Sequence, residues 1–141
     1  MTARIALLAV TTEPLDVTAH EAAVADPRAG AVVSFAGVVR DHDHARPVTS
    51  LTYEAHPSAE AVLREVAEEL AADPDVYAVA VSHRYGPLAV GDVALAAAVA
   101  TAHRAAAFNA CARLVDLVKQ RLPMWKHQLF ADGTDEWVNC P

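Results

Sequence analysis

Among 11 basic side chains only Lys119 and Lys126 carry an amine, and they stand seven residues apart. An amine can lose its proton and act as base or nucleophile, which the nine arginines cannot. At roughly 100° per residue, Lys119 shares a helix face with Phe108, Ala112 and Val115 and emerges at the margin of an apolar surface. Partial desolvation there frees an amine for chemistry. The same place also suits a lysine whose stem passes apolar neighbours and whose charge complements a helix C-terminus. Pro123 breaks the helix, and the turn through Met124 and Trp125 can carry Lys126 back towards Lys119. Trp125 offers a flat face to a heterocycle, or simply a core aromatic.

Anion binding is the second chemistry the residue types suggest. His103-Arg104 sits where a long apolar run passes into a long helix, and the first turn of a helix presents free N–H groups and partial positive charge. An imidazole and a guanidinium added there suit a phosphate, although the same dipeptide can merely flank a helix start. Arg40, at the end of a valine-rich run, is a further anion candidate. Asp41-His42-Asp43-His44 could hold a divalent metal, but alternating ligands on a polar loop lack fixed geometry and read better as a solvated loop. Cys111 faces the apolar side of the long helix and Cys140 lies next to the last residue; neither has a motif beside it.

The elements that must position these groups follow from periodicity and breakers. Residues 4–10 read as a strand, and 16–24 as a short helix with Thr18 and Glu21 at capping-box spacing. Residues 31–39 form an apolar, valine-rich run, read as a strand covered on both faces. Residues 40–47 read as a polar loop and 48–55 as a strand. Ser58 caps a helix whose stripe is Val62, Leu63, Val66 and Leu70 and which ends before Pro74. Residues 76–82 and 93–102 read as strands joined by a loop through Gly86, Pro87 and Gly91. The long helix spans 104–122, and strands 124–131 and 136–140 flank the hairpin signal Asp132-Gly133. The order βαββαββαββ predicts an α+β domain with a mixed sheet, not a doubly wound parallel one.

Composition bounds the rest. The chain has 141 residues, enough for one domain spanning 1–141. With 54% hydrophobic and 21% charged residues it is not disordered, and two cysteines make no disulfide framework. Residues 1–10 lack the long apolar region and small-residue cleavage site expected of a signal peptide, and the longest apolar run, from Val93, falls far short of the ~20 residues of a membrane helix. The expectation is a soluble, cytoplasmic protein with no membrane partner, and the net charge of −7 argues against a nucleic-acid partner as well. Within that acidic chain, residues 101–130 hold five basic side chains and only Asp116 on the acidic side, an electropositive window suited to a small anion.

Several segments, in order along most of the chain, resemble one family: the large, catalytic subunits of molybdopterin synthase, known as MoaE. They are GAVVSFAGVVR ending at Arg40, LTYEAHP from Leu51, HRYG from His83, Gly91-Asp92, AHRAAAF around His103-Arg104, KQRLPMWK from Lys119 to Lys126, and Glu136-Trp137-Val138. The AHRxxAF and KxRxPxWK segments at this separation are specific. The resemblance implies an α/β hammerhead type of fold and a sulfurtransferase. Such an enzyme moves sulfur from the C-terminal glycine thiocarboxylate of a small ubiquitin-like subunit to cyclic pyranopterin monophosphate, making the dithiolene of molybdopterin. It also implies a homodimer with a small subunit at each end, a heterotetramer, and no metal or cofactor at this step. By matched position, Lys119 is the central catalytic amine and Lys126 its companion. Arg40, His103 and Arg104 bind phosphate and pterin, His103 and Arg104 reaching across the dimer interface. His127-Gln128 stands where the family pattern has a basic residue and a glutamate, and Val38 where a charge is frequent. Two other readings compete: a metal-dependent phosphohydrolase built on Asp41 to His44, and a non-catalytic module that only holds a ubiquitin-like partner.

Overall fold

Every second residue of a strand meets the same face, so a strand apolar on both faces belongs at the centre of a sheet. Two strands of the chain have that character, and the fold is built around them. In the computed structural model, which describes residues 3–138, the elements are β1 (Arg4–Thr11), α1 (Val17–Ala23), β2 (Ala31–Val38), β3 (His42–Asp43), β4 (Arg46–Ala55), α2 (Ala59–Ala71), β5 (Val76–Arg84), β6 (Gly86–Leu88), β7 (Val93–Thr101), α3 (Arg104–Arg121), β8 (Met124–Phe130) and β9 (Asp135–Val138). The expected order holds, with β3 and β6 added as short strands inside segments read as loops.

The described strands form two sheets rather than one. The first runs β1-β5-β7-β2, with β1 parallel to β5 and the other pairs antiparallel. Val79, Val81 and Val99 face the core beneath α2 and α3, where Leu63, Val66, Leu70, Leu114 and Val118 are fully buried. Ala78, Ala80, Ala98 and Ala100 face the other way and pack with Val24, at the C-terminal end of α1. Small side chains on that face let the short helix approach closely. The second sheet is antiparallel, with β4 paired to β8, β8 to β9, and β3 and β6 along β4.

Three local expectations are corrected. Strand β2 is an edge strand whose residues alternate between half-buried and exposed, with Val32 and Val38 each about half exposed, so it is not covered on both faces in one chain. Its valine richness reflects an outward apolar surface. The α1 cap is Asp16, whose carboxylate accepts from the Ala19 N–H at 3.2 Å, in place of the Thr18/Glu21 box. Ser58 precedes α2 but pairs with the His56 ring at 2.8 Å and makes no side-chain cap bond.

Candidate active site

The two lysines reach one place from different elements. Lys119 lies in the last turn of α3, stopped at Pro123, and Lys126 lies on β8 opposite Tyr53 of β4. Both line a cleft of about 230 Å³ between the C-terminal end of α3, the ends of β5 and β7, and the inner face of the second sheet. Strand alternation puts Lys126 and Gln128 on the cleft side and turns His127 away. His127 stacks on Trp137 at 4.4 Å and meets Asp135 at 2.7 Å. Trp125 also points away from the cleft, towards His56 at 6.4 Å, and offers it no flat surface.

Arg40 enters the cleft just after β2 ends. Its approach is held by the Val39 N–H donating to the Asp92 carbonyl at 2.9 Å and the Gly91 N–H to the Val39 carbonyl at 2.8 Å. Gly91 takes φ +92, a conformation a side chain would strain, so glycine is required at this turn. Lys119 is exposed, as are Phe108 and Ala112 on the same helix face, while Val115 is buried. The apolar margin expected around the lysine is thus an outward surface in one chain, continuous with Val33 and Phe35 of β2.

His103 and Arg104 are not in this cleft. The length of α3 separates Arg104 from Lys119, about 22 Å along the axis at roughly 1.5 Å per residue. His103 caps the helix start by backbone position only, beside a shallow hollow that includes Asp75 and Asn109. Asp41 to His44 do not converge on a point: Asp41 pairs with His42 at 2.7 Å, Asp43 turns inward, and His44 is exposed. Among the described residues no group of three His, Cys, Asp or Glu side chains is arranged to hold a metal. Cys111 is packed, with burial pushing its thiol up to about 11, and Cys140 lies outside the described residues.

Four cleft residues had no cleft role in the sequence reading: Tyr53 and His83, quoted only within family segments, Asp43, read within a solvated loop, and Gln128, noted only as a departure from the family pattern. His83 is 1% exposed at the end of β5. Its Nδ1 donates to the Arg84 carbonyl at 2.8 Å, and its ring meets Tyr53 edge-on at 4.9 Å. Burial pushes the imidazole down to about 4, the Lys119 charge acting the same way against the opposing pull of the Arg84 carbonyl. The ring is therefore neutral at pH 7, with Nδ1 protonated and Nε2 the nitrogen left for the cleft. This has a pH consequence. The unfolded histidine takes its proton near 6.5 and the folded one only near 4. Between those values the unfolded chain binds more protons, so stability is full above about pH 6.5 and declines as pH falls towards 4, by up to about 3 kcal/mol. Urea unfolding of a His83→Phe variant across that window is expected to show a flatter pH dependence than wild type. Equal slopes would remove His83 from the acid response.

An α+β domain in which a guanidinium and two amines line one cleft has a site whose charge suits an anionic ligand. The family model described as MoaE protein matches residues 10–121. The molybdopterin synthase catalytic subunit 1 of Mycobacterium tuberculosis is 39% identical over 92% of this chain and 88% of its own length. The molybdopterin synthase catalytic subunit of Aspergillus niger is 35% identical over 92% of this chain and 73% of its own. Among solved structures, molybdopterin synthase from Staphylococcus aureus superposes with a TM-score of 0.83 at 29% identity, covering 94% of this chain and 96% of that one. The MoaE protein of Burkholderia ambifaria gives 0.79 at 31% identity, covering 96% and 90%. The chain belongs to the MoaE family. Its relatives are enzyme subunits of molybdopterin synthesis. Among the described residues no helix is long and apolar enough to cross a membrane.

Proposed function

We propose that this chain acts in the cytoplasm, as one domain spanning 1–141, as the sulfur-transferring subunit of a molybdopterin synthase. It accepts the C-terminal thiocarboxylate of a small ubiquitin-like subunit and delivers its sulfur to cyclic pyranopterin monophosphate, building the dithiolene. The observation that carries this reading is the meeting of Lys119, Lys126 and Arg40 in one cleft inside a chain of net charge −7. Both reactants are anionic at their reacting ends, one a thiocarboxylate and the other a phosphate ester. A cleft with converging cations attracts each and holds them close, which raises effective concentration at the reacting atoms. Lys119, with the neutral His83 ring beside it, is the central amine, and Lys126 is its companion.

In this reading the enzyme is a homodimer within a heterotetramer, and His103 and Arg104 of one copy complete the cleft of the other. Three observations support it. The cleft in one chain, at about 230 Å³, is smaller than the ~300–1,000 Å³ of most small-molecule sites. His103 and Arg104 cannot reach the Lys119 of their own chain. Phe108 is 61% exposed and shares an apolar hollow with Val33 and Phe35 of the edge strand β2, a surface that a second copy would cover. The test mixes the purified protein with a thiocarboxylated small subunit and cyclic pyranopterin monophosphate. A dithiolene product is expected; absence of product with both reactants intact would overturn the reading.

A further inference from the structure

The cleft of this cation-rich site is lined by a single carboxylate among its described residues, that of Asp43. Its neighbours divide its two oxygens. Oδ2 accepts from Gln128 Nε2 at 2.8 Å, while Oδ1 stands 3.6 Å from Arg40 and 3.8 Å from His44 Nε2. Gln128 is only 4% exposed, so its amide must find a partner inside, and the Asp43 carboxylate is that partner. The backbone is shaped to the same end. Strand β3 is two residues long, and the turn that follows places His44 and Ala45 at φ +49 and +63. Left-handed backbone at a non-glycine residue is costly, and at Ala45 nothing in the side chain offsets it. The tight hairpin returns the chain so that Asp43 pairs with Arg46 across β3 and β4 and turns its side chain towards Gln128 on β8.

We propose that Asp43, anchored by Gln128, is the positioning carboxylate of this cleft, holding Arg40 by direct pairing and facing Lys126 across the same cleft for the transfer chemistry. Long cationic side chains sharing a cleft repel one another and extend into water unless something fixes them. A carboxylate anchored through one oxygen presents the other to the cations at a constant place, and partial burial strengthens the attraction. The groups facing Asp43 are Gln128 and Lys126 from β8, Arg40 from the segment after β2, and His44 from its own turn. The Gln128 hydrogen bond, then the charges of His44, Lys126 and Arg40, hold its carboxyl below the usual range. Asp43 touches neither reactant in this assignment; it acts through Arg40, its direct partner, and through its charge on Lys126.

The inference deepens the sulfur-transfer reading and rests on it, so its test has one arm that needs no substrate. In the isolated protein, carbon-detected titration of the Asp43 carboxyl is expected to give a higher midpoint in Lys126→Met than in wild type. Equal midpoints would overturn the link to Lys126. The second arm moves the carboxylate across its hydrogen bond. Asp43→Asn keeps the shape and the bond to Gln128 but removes the charge. It is expected to lower kcat for dithiolene formation about tenfold through lost positioning. KM for the anionic pterin should not rise, because the charge removed was negative. Gln128→Glu alone sets two carboxylates against each other and is also expected to lose activity. The pair Asp43→Asn with Gln128→Glu restores one carboxylate, one amide and the bond between them, and should recover activity to within about threefold of wild type. Wild-type turnover by Asp43→Asn, or a double variant no better than either single one, would overturn the assignment. An inactive wild type would overturn the functional reading, while the titration still decides the Asp43 assignment.

Discussion

Single-turnover dithiolene formation by Lys119→Arg is expected to fall at least about 10²-fold below wild type, the usual scale for loss of a positioned acid–base or nucleophilic group. The substitution keeps the positive charge and most of the length, and the residue is exposed in the last turn of α3, so the fold has room for it. What it removes is an amine that can shed its proton, because a guanidinium stays protonated throughout the working pH range. If Lys119 only attracts an anion, arginine serves nearly as well. If it attacks an acyl group or carries a proton, arginine fails. Lys126→Arg, on the facing strand, is the internal comparison and is expected to lose less. Binding of the small subunit's tail, followed by calorimetry, should survive in the Lys119 variant. Near-normal turnover would sink the chemical role and leave the electrostatic one.

Arg104→Ala is expected to weaken pterin binding by an order of magnitude or more with the fold intact, since hydrogen bonds to charged groups are worth about 1.5–3 kcal/mol. Arg104 is exposed at the start of α3, so truncation leaves no buried hole. The more telling result concerns assembly. If each site takes Lys119 from one copy and Arg104 from the other, a mixed dimer of Arg104→Ala with Lys119→Arg contains one intact site and one doubly damaged site. Random exchange between the two impaired parents should then restore about a quarter of wild-type sites, as two-fold symmetry requires. Mass spectrometry can establish that the subunits have exchanged. No recovery after proven exchange would place both residues in one chain's site.

Much of the architecture was legible from local rules. The apolar runs of β5 and β7 announced strands, the stripe of α2 and the stop at Pro123 bounded helices, and Asp132-Gly133 marked the β8–β9 hairpin. The rarity of lysine drew attention to Lys119 and Lys126, and the helix-breaking proline between them suggested that they meet. These inferences work because burial periodicity and backbone breakers act over a few residues.

Other features depended on which surfaces came together. Composition made β2 look like a covered strand, but pairing order left it at the edge, and only sheet topology decides that. His83 opens a family segment at the end of an apolar run, but nothing local gives its ring a site role; the pairing of β5 with β7 and the course of α3 brought that ring to Tyr53 and Lys119 and took away its water. Asp41 to His44 had the composition of a solvated loop, yet a two-residue turn aimed Asp43 at Gln128, distant in sequence and on another strand. Arg104 and Lys119 share a helix, and its rigid rise keeps them apart whatever their chemistry. The sequence by itself determined the periodic elements, the acid–base repertoire and the family. The tertiary structure alone decided which of those groups share one cleft and which of them lose their water, because desolvation and charge coupling are properties of distance in space rather than along the chain.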